Sequence, residues 1–306
     1  METWFWIVGW FLSILTTTGN GFIIFLVCRK RQLRTKTNAF VVSLAVADFC
    51  VGMTVVPSLF LKYKTSIHHN LQTRLPGGTE FVRWTFMVTS VTNLCSLVLD
   101  RFIAVAKPLK YLTFMTRRRV MQMILFSWAT PSFFILLEST IFRSLNTSLI
   151  INTFFWLVII FYRFLPCLLL IFCFLSMMRI VYQQDRAARI LAKQLRFNHR
   201  VLFKSHEKSA VVMMGIVIGM FLVCSGIYLH CGLVRVLSDK ISCNDLNYKI
   251  PIVILNSAVN PLAYAFLKRD IKKESKRLYK VIFKRGNKVK PFSEDNRFIL
   301  GTRLCK

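Results

Sequence analysis

The sequence predicts an all-α membrane protein, a seven-transmembrane helix bundle followed by a short amphipathic eighth helix. Seven apolar stretches are each near the length of about 20 residues that a helix needs to cross a bilayer. Of the 306 residues 55% are hydrophobic, and the mean hydropathy is +0.51. Basic residues fall mainly in alternate connections between these stretches. A soluble chain of this length would suggest two domains, so these observations favour a single membrane bundle.

The predicted elements follow one another with short connections. The seven spans are Trp4–Cys28, Asn38–Leu61, Thr79–Val105, Val120–Ile141, Asn152–Ile180, Ser209–Val234 and Tyr248–Leu267. After them comes a basic segment with apolar residues at Leu267, Ile271, Leu278 and Ile282. That spacing predicts an amphipathic helix over Lys268–Phe283 that lies on the membrane surface. Residues 1–285 are therefore expected to form the bundle with its eighth helix, and residues 286–306 a short basic tail.

The distribution of charge predicts the topology. The first, third and fifth connections and the tail carry five, five, eight and 14 of the 42 Lys and Arg residues. The positive-inside rule makes that side cytoplasmic, so the N-terminus is expected outside and the C-terminus inside a plasma-membrane, multi-pass protein. The net charge of +29 also suits anionic lipid headgroups. Nucleic-acid binding would need a basic face on a soluble fold, so no nucleic-acid partner is expected.

Two further features of the sequence fit this topology. No basic region precedes the first apolar stretch, which runs directly into Arg29–Arg31. The first span is therefore predicted to be an anchor rather than a cleaved signal peptide. Asn146-Thr147-Ser148 is a glycosylation sequon in the predicted second outer loop.

Polar residues inside the spans require an explanation, because a charge at mid-bilayer costs on the order of 3 kcal/mol. Asp48 lies in the middle of the second span with apolar sequence on both sides. The other candidates are Asn20, Ser90, Asn256, Ser257 and Asn260. One carboxylate among amides and hydroxyls predicts a small hydrated cavity for a monovalent cation or a proton. The alternative is a polar cluster that holds the helices together.

Asp100 and Arg101 stand at the predicted cytoplasmic end of the third span, and Glu207 at the start of the sixth. Arg101 needs a carboxylate partner near the membrane boundary, and Asp100 and Glu207 are the candidates. An ion pair between Arg101 and Glu207 would tie two helices together, and its opening would separate them, as a two-state switch requires. The alternative is an ordinary interfacial ion pair of little energetic value.

The seventh span contains Pro261, preceded by Asn260 and followed three residues later by Tyr264. The proline removes a backbone hydrogen bond and kinks the helix. Asn260 and water can satisfy the freed carbonyl groups. Proline occurs often in membrane helices, but this combination in the last of seven spans is more specific.

With these residues the chain resembles the rhodopsin-like, class A, G-protein-coupled receptors, as a divergent member. The resemblance extends to about Phe283 and places one characteristic residue or motif in each span. These are Gly19-Asn20, Leu44–Asp48, Asp100–Phe102, Trp128, Pro166, Phe221 with Cys224, and Asn260–Tyr264.

The resemblance implies roles for several residues. Asp48, Ser90, Asn256, Ser257 and Asn260 match the sodium pocket of that family, so a sodium ion is expected as an allosteric modulator and no other cofactor. Asp100, Arg101 and Glu207 match its ionic lock, where the heterotrimeric G protein couples. The implied activation switch consists of Asn20, Val91, Pro166, Phe221, Pro261 and Tyr264.

Several positions depart from the family pattern. Pro76 stands where the third span usually begins with a disulfide-bonded cysteine, so that disulfide is absent. Ser225 and Ile227 replace the tryptophan and the proline of the sixth span, and Phe174 replaces a tyrosine of the fifth. These changes predict altered or weak activation. Cys231 and Cys243 flank the last outer loop and are candidates for a disulfide.

The expected ligand is unidentified. Arg83 occupies the position where amine receptors carry an aspartate, and Ile254 the position of the retinal-binding lysine, so neither class of ligand is expected. Arg83 is suited to an anionic group or a lipid phosphate. Alternatively, it pairs internally with Glu80 or Glu138. The remaining candidate pocket residues are Trp84, Met87, Tyr162, Arg163, Tyr228 and Leu246.

The sequence therefore predicts a receptor that senses an extracellular or membrane-borne ligand and activates a G protein. A second hypothesis is a weakly signalling or non-signalling membrane partner that dimerises with other receptors. An ion-coupled transporter would rest on Asp48 alone, because no internal repeat or pair of broken helices is visible. The sequence contains no phosphate-binding loop or spaced metal-ligand set, so an enzyme is not expected.

Overall fold

The computed structural model describes residues 3–68, 78–144, 148–194, 206–237 and 246–286. We number its helices in chain order. They are α1 (Thr3–Arg29), α2 (Lys36–His68), α3 (Gly78–Ala106), α4 (Pro108–Phe114), α5 (Arg117–Ser144), α6 (Ser148–Ile159), α7 (Leu165–Gln194), α8 (His206–Leu237), α9 (Leu246–Leu267) and α10 (Arg269–Gly286). A single turn of 3₁₀-helix, Arg31–Leu33, joins α1 to α2. A π-helical turn, Ile160–Phe164, joins α6 to α7.

All seven predicted spans are helical, which confirms the predicted fold class. Within the described ranges, five helical segments are long and apolar enough to cross a membrane by themselves: Thr3–Arg29, Lys36–Lys64, Val82–Ala106, Arg117–Leu137 and Trp156–Ala187. The sixth and seventh predicted spans correspond to the apolar segments Val211–Ile227 of α8 and Lys249–Phe266 of α9. The chain then bends by 80° into α10, as the predicted surface helix requires.

The helices pack as a bundle around α3. On one side, α1 packs against α2 and α9, and α2 packs against α3. On the other side, α3 packs against α5 and α7, α7 against α8, and α8 against α9. Large apolar side chains cover the outside, and Phe11, Phe126, Phe172 and Phe266 are each more than half exposed. An apolar exterior is what a bundle in lipid presents, because lipid tails replace the missing partners.

A layer of polar side chains divides the interior into two apolar clusters. Phe5, Val55, Met87 and Ile250 belong to one cluster, while a larger cluster surrounds Leu44, Leu94, Phe221 and Tyr264. Between the two clusters, along the same helices, lie the buried polar residues Asn20, Asp48, Ser90, Asn256, Ser257 and Asn260. We refer to these six residues as the polar layer.

Helices α1 and α2 approach closely at Gly52. The Ser13 hydroxyl donates a hydrogen bond of 2.6 Å to the Gly52 carbonyl. A Cβ atom at position 52 would lie 2.5 Å from Thr17 Oγ1 and 3.1 Å from the Thr17 nitrogen. Small residues allow this kind of backbone approach in membrane bundles. Glycine at position 52 therefore sets the distance between these two helices.

Helix α10 packs beside the end of α1. The buried Glu274 accepts a hydrogen bond from Arg277 at 2.8 Å and pairs with Lys30 at 3.7 Å. Ile271 is fully buried against the larger apolar cluster. One face of α10 therefore packs against protein, while the exposed basic residues include Lys272, Lys273 and Lys280.

Candidate functional site

The polar layer is built around the carboxylate of Asp48, which is fully buried. The Ser90 hydroxyl donates to Oδ1 at 2.5 Å, and Asn260 Nδ2 donates to Oδ2 at 2.7 Å. The hydroxyl of Ser257 also faces this carboxylate. The structure thus brings together α2, α3 and α9 at the residues that the sequence singled out.

The polar layer contains oxygen atoms that are well suited to a cation. Oδ1 of Asn20, Asn256 and Asn260 are buried and accept no hydrogen bond within the described structure. Asn20 instead donates through Nδ2 to the carbonyls of Thr16 and Ser257. Buried oxygens of this kind are normally satisfied by water or an ion. Carboxylate, carbonyl and hydroxyl oxygens are the ligands that hard cations prefer, so the residues fit a sodium ion.

Pro261 and Tyr264 lie directly below this layer in α9. A Cβ atom at Gly19 would lie 2.9 Å from Pro261 Cγ, so α1 contacts the kinked segment of α9 closely. Tyr264 is fully buried, and its hydroxyl makes no hydrogen bond among the described residues. Val91 and Phe221 pack in the same apolar cluster, and Pro166 is buried in α7.

A small cavity of about 10 Å³ lies beside the polar layer, between α3, α8, α9 and the π-helical turn. Its polar lining consists of Ser90, Arg163, Ser225, Asn256 and Ser257. Val91 and Phe221 are among its apolar walls. The hydroxyl of Ser225 is fully buried and makes no hydrogen bond by geometry, although the thiol of Cys167 is near it.

The π-helical turn explains why Arg163 reaches this cavity. Pro166 lacks the backbone N–H group that would continue the α-helical pattern, and the chain forms a wider turn before it. Such a turn inserts a residue and redirects the neighbouring side chains, and it is frequent at functional sites. Tyr162 is buried and Arg163 is partly buried beside the cavity.

The structure describes the side chains of only some of the other predicted pocket residues. Arg83 and Met87 are buried in α3, whereas Trp84 is 39% exposed and lies towards the outside of the bundle. The side chains of Glu80, Glu138, Tyr228 and Leu246 lie outside the described part of the structure. The same is true of the predicted glycosylation site Asn146 and of the predicted pair Cys231 and Cys243.

A second polar cluster surrounds Arg101. Asp100 Oδ2 accepts hydrogen bonds from Arg101 Nε at 3.0 Å and Nη2 at 2.6 Å. Asp100 Oδ1 accepts a hydrogen bond from the Tyr111 hydroxyl at 2.8 Å. Arg101 Nη2 also donates to the hydroxyl of Thr37. The side chain of Glu207 lies outside the described residues, so its predicted pairing with Arg101 stays a prediction.

Two titratable groups border this cluster at the ends of the spans. Burial raises the pKa of Tyr111, which is held between Asp100 and Thr37. Lys268 joins α9 to α10 and donates a hydrogen bond to Asn38 Oδ1. Burial lowers the pKa of Lys268 from 10.5 to about 7, and the positive charge of Arg101 acts in the same direction.

Sequence reasoning did not identify Thr37, Asn38, Tyr111, Ser225 or Lys268 as parts of these clusters. Tyr111 lies in α4, which begins at Pro108 directly after Lys107. Proline favours the first turn of a helix, so Pro108 was a signal for a structured connection. Ser225 was noted only as the replacement for a tryptophan, and Thr37, Asn38 and Lys268 gave no signal because their roles depend on which helices become neighbours.

Comparison with known proteins shows the same class. The family described as "7 transmembrane receptor (rhodopsin family)" matches residues 19–264. The octopamine receptor beta-2R of Chilo suppressalis is 28% identical, over 85% of this chain and 75% of that receptor. The trace amine-associated receptor 3 of Rattus norvegicus is 29% identical, over 83% and 78%. The histamine H2 receptor of Cavia porcellus is also 29% identical, over 85% and 75%.

Proposed function

Because the chain belongs to the rhodopsin family of seven-transmembrane receptors, which signal through G proteins, we propose that it senses an extracellular or membrane-borne ligand and activates a heterotrimeric G protein. The proposed orientation places the N-terminus outside the plasma membrane and the Arg101 end of the bundle in the cytoplasm. This orientation rests on the excess of basic residues in the connections at that end.

The cluster around Arg101 is the observation that supports coupling. Arg101 is held by Asp100, and Asp100 is held in turn by Tyr111 from the neighbouring short helix α4. Thr37 of α2 accepts a further hydrogen bond from Arg101. In this arrangement the guanidinium is turned towards α2 and α3. Rotation of Arg101 away from Asp100 would open the same end of the bundle to a partner, as in a two-state element.

The charges in the bundle do not favour an amine ligand, although the named relatives are receptors for octopamine, trace amines and histamine. Arg83 is buried on the outer side of Asp48, and Arg163 lines the cavity. A guanidinium stays protonated and repels an ammonium group. We therefore favour a neutral or anionic small molecule, which includes lipid-like compounds.

The same proposal includes sodium as an allosteric modulator. The fit of the polar layer to a hard cation supports it: Asp48 supplies the charge, and Ser90, Asn256, Ser257 and Asn260 supply neutral oxygens. An ion held there would join α2, α3 and α9, and would favour whichever bundle conformation keeps these helices together.

The test of coupling is a panel of G-protein dissociation biosensors in cells that express the receptor. We expect basal or ligand-stimulated dissociation for at least one G protein, and its loss in the Arg101→Ala variant. Arg117→Ala is the matched control, because Arg117 is an exposed basic residue near the same end of the bundle. Equal signals from the wild type and Arg101→Ala, at matched surface expression, would contradict coupling through this site.

A second candidate function is a receptor-like membrane partner that signals weakly and dimerises with other receptors. Ser225 supports it, because this small residue lines the cavity where the related receptors carry a tryptophan. A silent biosensor panel, together with a change in the surface expression of a co-expressed receptor, would favour this alternative.

A further inference from the structure

We infer that the cavity beside the polar layer binds a small monovalent anionic group, with Arg163 as its main charged contact. The shared chemistry is that of a chloride ion or the carboxylate of an organic acid. This inference rests on the proposed function and deepens it, because it names the chemistry of the group that the cavity would take. Its test measures binding and not coupling to a G protein, so the two proposals can fail separately.

The first argument is the charge of the cavity wall. Arg163 belongs to the π-helical turn and lines the cavity together with neutral hydroxyl and amide groups. Its guanidinium acts electrostatically on the thiols of Cys167 and Cys224, which lie nearby. An ionisable residue in the middle of a membrane span is costly and usually marks a ligand or ion pathway. A guanidinium presents a rigid fork of donors that matches a carboxylate or another small anion.

The second argument is the hydroxyl of Ser225. This side chain is fully buried, lines the cavity and makes no hydrogen bond by geometry in the described structure. A hydroxyl can donate to an anion that also contacts a guanidinium. Ser225 stands on α8 and Arg163 on the turn before α7, so an anion between them would join two helices that pack together.

The third argument concerns the position of Asp48. Asp48 is not among the residues that line the cavity, whereas Ser90, Asn256 and Ser257 belong to the polar layer and also line the cavity. Both oxygens of Asp48 already accept hydrogen bonds, from Ser90 and Asn260. The polar layer therefore offers oxygens to a cation, while the cavity beside it offers a guanidinium and a hydroxyl to an anion.

The apolar part of the wall restricts the size of the anion. Met87, Val91, Phe221 and Val253 are among the apolar walls of the cavity. Apolar surroundings lower the local dielectric constant, which strengthens the attraction between the guanidinium and a bound charge. A halide or the end of a short carboxylate fits such a space better than a large hydrated anion.

The experiment measures the thermal midpoint of the purified full-length protein in lipid nanodiscs at constant sodium. The large anion isethionate serves as the reference, and chloride, acetate or propionate replaces it at equal ionic strength. We expect chloride or the carboxylates to raise the wild-type midpoint by about 2 °C or more. A rise with chloride alone identifies a free inorganic anion, and a rise with the carboxylates identifies the acid group of an organic ligand.

Variants decide whether the effect belongs to this cavity. We expect Arg163→Gln to lose the anion-dependent rise, and Arg186→Gln, an exposed arginine further along α7, to keep it. An absent rise in the wild type, or an equal rise in Arg163→Gln, overturns the inference. If Arg163→Gln does not fold, Arg163→Lys and Ser225→Ala decide instead. A reduced rise in either supports the site, and an unchanged rise in both overturns it.

Discussion

The Tyr111 hydroxyl donates a hydrogen bond of 2.8 Å to Asp100 Oδ1, while Oδ2 of the same carboxylate holds Arg101. Tyr111 lies on the short helix α4 and Asp100 on the central helix α3. The connection between α3 and α5 therefore takes part in holding Arg101, and its conformation is coupled to the position of the guanidinium.

We predict that Asp100→Asn raises basal G-protein activation. The substitution removes the negative charge that holds Arg101, and a hydrogen bond to a charged group contributes about 1.5–3 kcal/mol. Because about 1.4 kcal/mol corresponds to a tenfold change in an equilibrium, the basal signal is expected to rise about tenfold or more. Ligand-free dissociation of G-protein subunits at matched surface expression measures it.

Tyr111→Phe provides a graded comparison for that prediction. It removes one hydrogen bond to Asp100 and leaves the contact between Asp100 and Arg101 in place. We expect a basal signal between those of the wild type and Asp100→Asn. A Tyr111→Phe signal above that of Asp100→Asn would show that Tyr111 acts elsewhere.

We predict that Asp48→Asn removes a sodium-dependent increase in thermal stability. The wild type is expected to gain about 2–4 °C when sodium replaces choline at constant chloride, because an ion that binds only the folded state stabilises it. Asparagine keeps the shape of the side chain but lacks the charge that attracts the ion. Thermal unfolding in nanodiscs measures both proteins, and an equal sodium effect in the two would contradict the site.

We predict that Gly52→Ala lowers stability, since the added Cβ would lie 2.5 Å from Thr17 Oγ1. Overpacking of this kind typically costs about 1–3 kcal/mol, or a fall of several degrees in the thermal midpoint. Gly226→Ala is the matched control, because a Cβ atom there meets no atom within 4 Å. An equal effect of the two substitutions would show that the contact between α1 and α2 is not the cause.

We predict that stability rises with pH above about pH 7 because of Lys268. The pKa of this group is lowered from 10.5 to about 7 in the folded protein, mainly by burial. Between these values the unfolded chain binds more protons, so raising the pH favours the folded state by up to about 1.4 kcal/mol per unit. Below the folded pKa both states are protonated and this slope disappears.

Thermal unfolding from about pH 6 to about pH 9 tests this pH dependence. Lys268→Met is expected to have a smaller slope above about pH 7 than the wild type. Lys272→Met is the control, because Lys272 is exposed on α10. The same slope in the wild type and Lys268→Met would assign the pH dependence to another group.

The sequence predicted the helices because membrane spans are specified locally. A run of apolar residues must form a helix in lipid to satisfy its own backbone groups, and each predicted span is helical in the structure. The polar layer was also predictable in part. Asp48, Ser90 and Asn260 stood out against apolar surroundings, and the structure brings their side chains together.

Pairing between helices was harder to predict, because it depends on how each helix is rotated in the bundle. For Arg101, the sequence suggested Asp100 and Glu207 as partners, and the structure shows the pair with Asp100. Thr37 and Tyr111 were not indicated by the sequence. Likewise, Arg163 was one of several candidates for the pocket. Only the π-helical turn before Pro166 placed it beside Ser225 and the polar layer.

The sequence by itself determined the class of the protein, the seven apolar segments and the charged residues that they bury, since these follow from local composition and the cost of placing charge in lipid. Tertiary structure decided which of those residues meet. A hydrogen bond or an ion contact requires atoms from distant segments within a few ångströms, and helix rotation, glycine contacts and the turn before α7 set those distances.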